Sequence, residues 1–231
     1  MTLHPTDLRR VNVLQHATDE DLQLFVRNGI ERSIEEGEFF FFQGDPAHYF
    51  YILTSGRAKL IQANPAGQQV NLRTINEWQI FGALGAVREN AMYPASAQAL
   101  EHSTALAIKS QTLHDMMETR PYLSFELMKV MTNYIQEMQE RYRELATEKV
   151  ERRIARALLR LTGQMGNKTA DGKIELPFTR QELAEMSGTT LYTVSRVLSE
   201  WERHGLVEAG RERVLIRNPH GLVKIAEELE R

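Results

Sequence analysis

In a helical pattern that starts at Thr190, a candidate contact itself, Tyr192, Thr193, Ser195, Arg196 and Ser199 face outward, and Leu191, Val194, Val197, Leu198 and Trp201 fall on the other side. An arginine on such a face can donate two hydrogen bonds to guanine O6 and N7, and a threonine methyl or an aromatic ring can rest on a thymine methyl. The chemistry available here is the reading of base edges. A shorter pattern precedes it, with Thr179 as N-cap, Glu182 three residues on to complete a capping box, and Leu183, Ala184 and Met186 as its apolar face. Gly188 allows a tight turn between the two helices. That is the outline of a helix-turn-helix whose second helix enters the major groove. A plain helical hairpin is the alternative, but its outer face would ordinarily carry a Glu/Lys mixture. Thr179, Arg180 and Gln181, at the head of the first helix, join the candidate DNA contacts. Beyond, Gly205 to Val207 and Val214 to Arg217 flank a turn, which predicts a β-wing with Arg211 and Arg213 placed for phosphate contacts.

The elements that must position this face have distinct textures. From Pro121, the residues Leu127, Met131, Tyr134, Met138 and Leu145 recur at three- and four-residue steps, interrupted by Arg141. This predicts a long amphipathic helix with coiled-coil spacing, with a solitary core helix as the alternative. Upstream, Glu36-Gly37, Gly44-Asp45-Pro46, Ser55-Gly56, Pro65-Ala66-Gly67, Gly82 and Gly85 separate short apolar runs, the pattern of a β-sandwich or barrel. The run Phe39 to Phe42 is fully apolar and predicts a strand buried on both faces or a strand packed under a helix.

Charge divides unevenly. Residues 1–149 hold 14 Lys/Arg against 19 Asp/Glu, and residues 150–231 hold 14 against 12, so any DNA footprint is a positioned patch on a mixed surface. Arg152, Arg153, Arg156 and Arg160 belong either to that patch or to a solvated helix face. With no cysteine, disulfides and cysteine-held iron–sulfur clusters are excluded. No apolar run reaches 18 residues and the N-terminus has no basic-then-apolar signal, so a cytoplasmic, non-membrane protein is expected. An enzyme is not expected, because no nucleophile elbow, HExxH, P-loop or dinucleotide fingerprint occurs and no metal site is legible in the dispersed histidines.

The segment Thr179 to Ala184, with Gly188, Ser195 and Arg196, resembles the winged-helix end of the CRP/FNR superfamily of bacterial transcription regulators. Tyr192 stands where that family commonly has a glutamate. Gly44-Asp45-Pro46-Ala47, Leu53-Thr54-Ser55-Gly56 and Phe81-Gly82-Ala83-Leu84-Gly85 resemble the same superfamily's cyclic-nucleotide-binding-like β-roll. The resemblance implies an α+β fold with a β-roll sensor at 1–117, a dimerisation helix at 118–149 and a winged helix-turn-helix at 150–231. It also implies a homodimer on a pseudo-palindromic, double-stranded operator, with RNA polymerase as a further partner.

Nucleotide-binding members use a glutamate for the ribose and an Arg-Ser-Ala for the cyclic phosphate. This chain has Ala83 and Tyr93-Pro94-Ala95 at those places, and Ala146-Thr147 where a Thr-Ser pair would touch adenine across the dimer. Cyclic AMP is therefore not the expected effector. The candidate pocket comprises Phe81, Gly82, Ala83, Leu84, Tyr93, Pro94, Ala95 and Ser96, with Ala146 and Thr147. Three readings stay open: another small effector, haem sensing a diatomic gas such as nitric oxide or carbon monoxide, or an empty or self-filled roll with regulation through abundance or another protein. Tyr93 to Ala97 resembles nitric-oxide-responsive, haem-using branches, and His48, His102 and His114 are iron ligands by type. A β-roll signalling adaptor without DNA binding is the reading from another class, and Arg196 argues against it.

Overall fold

A computed structural model describes residues 3–63, 69–88, 90–169, 173–210 and 212–227. The turn at Pro65 to Gly67 and the side chain of Arg211 lie outside the described residues. The chain forms two compact units, Met1–Gln136 and Glu137–Arg231, and the division falls inside one long helix. Among the described residues no helix is long and apolar enough to cross a membrane.

In the first unit, two 3-10 turns lead to α1 (Asp19–Asn28), whose start is fixed by a capping box between Thr18 and Asp21. The strands are β1 (Gly29–Ile34), β2 (Phe39–Phe41), β3 (Tyr49–Ser55), β4 (Ala58–Ala63), β5 (Gln69–Ile75) and β6 (Ile80–Phe81). After α2 (Leu84–Val87) come β7 (Ser96–Ala99), β8 (Ser103–Lys109) and α3 (Ser110–Thr119). Two antiparallel sheets result, ordered β1-β8-β3-β6 and β2-β7-β4-β5. Strand β3 is apolar at almost every position because both its faces are covered. Tyr51 and Leu53 face the roll interior, while Phe50 and Ile52 meet Leu22, Phe25, Leu113, Met116 and Leu123 on the other side.

The run Phe39 to Phe42 departs from its expected burial on both faces. Only Phe41 is fully buried; Phe42 is exposed and stacks on Phe39 with ring centroids 4.6 Å apart.

Helix α4 (Pro121–Thr147) corrects the expected seam. Leu127 is only 8% exposed, packed with Leu123 in the core of the first unit, and Tyr134 is half-buried. Met131, Met138 and Leu145 are exposed, as expected of a seam, and their companions are Met128, Ile135 and Tyr142. Steps of three and four join all six in an unbroken a/d repeat, and Arg141, the apparent interruption, stands outside it.

In the second unit, α5 (Val150–Met165), β9 (Asn167–Lys168) and β10 (Ile174–Leu176) precede α6 (Arg180–Ser187) and α7 (Leu191–Arg203). The hairpin β11 (Val207–Ala209) and β12 (Val214–Ile216) follows, then α8 (Pro219–Glu227), and the sheet order is β11-β12-β10-β9. Ile154, Leu158, Leu183, Val194, Leu198, Trp201 and Ile216 make one core that fixes α7 against α5, α6 and the wing.

Candidate nucleic-acid interface

The turn between α6 and α7 is set by local chemistry. Thr179 accepts from the Glu182 amide at 3.1 Å while its own amide donates to the Glu182 carboxylate at 2.6 Å, so both orphan groups of the α6 start are satisfied. Gly188 closes α6 in the left-handed region at φ 61°, and a Cβ there would stand 2.5 Å from Leu145 Cδ2. Arg153 ties the same turn to the α4 exit, donating to the carbonyls of Ser187 at 3.1 Å, Gly188 at 3.3 Å and Glu148 at 3.0 Å. Thr190 caps α7 by accepting from the Thr193 amide at 3.2 Å, and the two threonine hydroxyls lie 3.0 Å apart.

Trp201, Val197, Leu198 and Val194 hold the inner face of α7, which leaves Tyr192, Arg196 and Ser199 exposed and Thr193 and Ser195 half-buried. Arg196 lies 3.8 Å from the Glu151 carboxylate, in an ion pair whose two side chains are both exposed. Leu191 departs from the expected inner face and is 47% exposed. The reason is its place at the first helical position, ahead of the residues that α5, α6 and the wing cover.

Around α7, Arg180 donates to the Ala209 carbonyl at 3.4 Å and Gln181 to Glu185 at 3.0 Å, tying the head of α6 to the wing and to its own next turn. Arg213 sits at the wing, where its carbonyl accepts from the Gly210 amide at 2.9 Å and its guanidinium is 3.4 Å from Glu175.

The four α5 arginines fit neither sequence reading. Arg160 is 2.6 Å from Glu144, Arg156 is 3.2 Å from Glu148, Arg152 donates to the Ala226 carbonyl at 2.7 Å, and Arg153 serves the turn. Glu144 and Glu148, which supply these carboxylates, are both buried. Charged residues near a helix junction can pair inward, and only a buried partner separates that case from a solvated face.

The candidate pocket of the roll is filled by rings. Phe41 stacks on Tyr93 with centroids 3.7 Å apart, Tyr51 stacks on Phe81 at 5.1 Å, and Phe40 meets the Phe81 ring edge-on at 5.3 Å. Gly82 has φ 73°, and an added Cβ would stand 3.2 Å from both Phe41 and Tyr93. The Tyr93 hydroxyl donates to the Tyr49 carbonyl at 2.5 Å. Burial first, and the neighbouring Tyr51 second, push the Tyr93 phenol up, so a neutral donor occupies the place where a phosphate would need a cation.

Of the other pocket residues, Ala83 and Leu84 are half-buried at the head of α2 and Ala95 is buried. The Pro94 carbonyl accepts from Gln62 at 3.1 Å, and Ser96 Oγ accepts from the Gln43 amide at 2.9 Å. Ala146 and Thr147 are exposed residues of the second unit, with the Thr147 hydroxyl donating to the Arg143 carbonyl at 2.8 Å. The three histidines do not suit a haem in the roll. His48 is exposed, His102 pairs with Glu35 at 3.2 Å, and His114 pairs with Glu118 at 3.6 Å.

Residues 152–225 match the Crp-like helix-turn-helix domain, and residues 31–120 match the cyclic nucleotide-binding domain. The transcriptional activator protein anr of Pseudomonas aeruginosa is 29% identical over 208 residues, covering 90% of this chain and 84% of the relative. The c-di-GMP-responsive global regulator CLP of Xanthomonas campestris shares the fold with a TM-score of 0.77 at 20% identity, over 84% of this chain and 97% of that one. A CRP/FNR-family transcriptional regulator of Thermus thermophilus has a TM-score of 0.73 at 23% identity, over 86% and 98% of the two chains.

Proposed function

Because the chain belongs to the CRP/FNR superfamily of DNA-binding transcription regulators, we propose that it acts as a homodimer setting two α7 helices into successive major grooves of a pseudo-palindromic operator. The observation that carries this reading is the α7 face itself, held by a buried apolar back and presenting Arg196 and Tyr192 outward. The exposed a/d repeat of α4 supports pairing of two copies, since six large apolar side chains at that spacing form the seam of a two-stranded coil. In this reading Arg196 reads a guanine, Tyr192 and Ser199 tune its neighbours, Arg180 and the wing residue Arg213 hold phosphates, and the two threonines Thr190 and Thr193 shape the helix start. RNA polymerase is its further partner, and the cytoplasm its place of action.

The roll responds to a small effector other than cyclic AMP. An entering ligand has to displace the Tyr93 ring from Phe41, and the Tyr93 hydroxyl bonded to Tyr49 carries that displacement into β3.

The dimer is tested by Ile135→Glu, which faces two like charges across the seam. Sedimentation should show a monomer, with specific DNA affinity lower by about 10²–10⁴-fold through loss of the second half-site. An unchanged dimer removes α4 as the interface.

A further inference from the structure

Leu191 is an apolar side chain with no core to join. It is 47% exposed, and it lines an open cleft with Thr179, Arg180, Gln181, Ala209 and Gly210, between the head of α6 and the wing. At about 100° per residue, Leu191, Ser195, Ser199, Tyr192 and Arg196 share one arc of about 140° on α7, with Leu191 at one edge and Arg196 at the other. The next side chain along, Tyr192, is 79% exposed. The hydroxyls beside Leu191 face each other: Thr190 and Thr193 bond one another and close the α7 cap. At the Leu191 edge the first turn of the helix therefore offers base edges an apolar surface, because the two threonine hydroxyls beside it are held to one another.

The N-terminal residues of a recognition helix are the ones that reach base edges. In the major groove, only the C5-methyl of thymine presents an apolar group to such a surface. We infer that Leu191 is a specificity-determining residue that packs on a thymine methyl, two base steps or so from the guanine read by Arg196. The spacing follows from five residues at a rise of about 1.5 Å each, against about 3.4 Å per base. This rests on α7 being the recognition helix. It adds a discrimination that hydrogen bonding cannot supply, because thymine and uracil have the same polar edge.

The test uses the full-length protein and an operator selected from random duplex DNA, with each thymine replaced in turn by deoxyuridine, which removes only the methyl. One thymine per half-site should cost about fourfold in affinity, the value of one methyl withdrawn from contact. Leu191→Ala, which alters both subunits, should lose about that factor per half-site on the thymine operator and nothing further on an operator carrying deoxyuridine at that position in both half-sites. Restoring the methyl on a cytosine, as 5-methylcytosine at that position, should recover part of the wild-type binding and none of the variant's. Since Leu191 is exposed, the variant should melt with the wild type. Equal sensitivity of both proteins to every deoxyuridine substitution overturns the inference, as does coupling to Tyr192→Ala in place of Leu191→Ala. In those outcomes α7 still reads DNA. If Arg196→Ala also leaves the selected sequence unchanged, the recognition-helix reading itself has failed.

Discussion

The two units treat their signature residues in opposite ways. In the second, the buried side chains hold α7 while the residues able to act on a ligand face outward. In the first, the left-handed Gly82, at φ 73°, makes its turn in the candidate pocket, but the rings of Phe41 and Tyr93 lie directly against it. The difference shows that the framework of a β-roll is separable from its ligand groups. Glycines make the turns, and a pocket needs in addition the cation and carboxylate that Tyr93 and Ala83 do not supply.

The comparison breaks most visibly if the interior is not a packed core. Phe41→Ala removes the ring stacked on Tyr93 and should destabilise the first unit by about 3–5 kcal/mol, read as a lower melting transition. Tyr93→Phe, which keeps the ring and deletes the hydroxyl, should cost about 1 kcal/mol. A Phe41→Ala protein that melts with the wild type would mean that the rings enclose a ready cavity. Cyclic AMP gives a second measure. A ligand at about 100 times its dissociation constant adds about 2.7 kcal/mol of stability, and cyclic AMP should produce no such shift. A clear shift would restore the roll as a nucleotide site.

On the DNA side, smaller effects sharpen the contrast within one surface. Arg196→Ala should cost about 1–3 kcal/mol per half-site and flatten preference at one guanine. Arg213→Ala should weaken all sequences alike and lower the salt slope by about one unit per half-site. If the two variants exchanged these signatures, α7 would be docked along the backbone and the wing would be the reader.

The helix-turn-helix was legible because its determinants are local. The Thr179–Glu182 box, the Thr190 cap and the left-handed Gly188 each act within four residues, and the wing strands flank a short turn. What escaped depended on partners distant in sequence. Leu127 and Met128 are adjacent apolar residues on α4, and periodicity alone fits either to a seam. Packing against Leu123 and its neighbours takes the first and leaves the second bare. Leu191 fitted the inner face by period, yet the first turn of α7 projects beyond the elements that cover the rest. Helix α1 has a local signal of its own in the capping box of Thr18 and Asp21, but its short apolar face packs on partners distant in sequence. The filled roll was one of three occupancies the motifs allowed, and only the ring geometry weighs between them.

Gly188 has a consequence for how this protein can change over generations. Any side chain at position 188 meets two independent obstacles, a left-handed backbone and the Leu145 methyl. A smaller residue at 145 would relieve the second obstacle, but Leu145 is also one of the exposed residues of the α4 repeat. Positions 145 and 188 are thus coupled: a Cβ at 188 turns the end of the Leu145 side chain aside, and that side chain belongs to the surface proposed to join two copies.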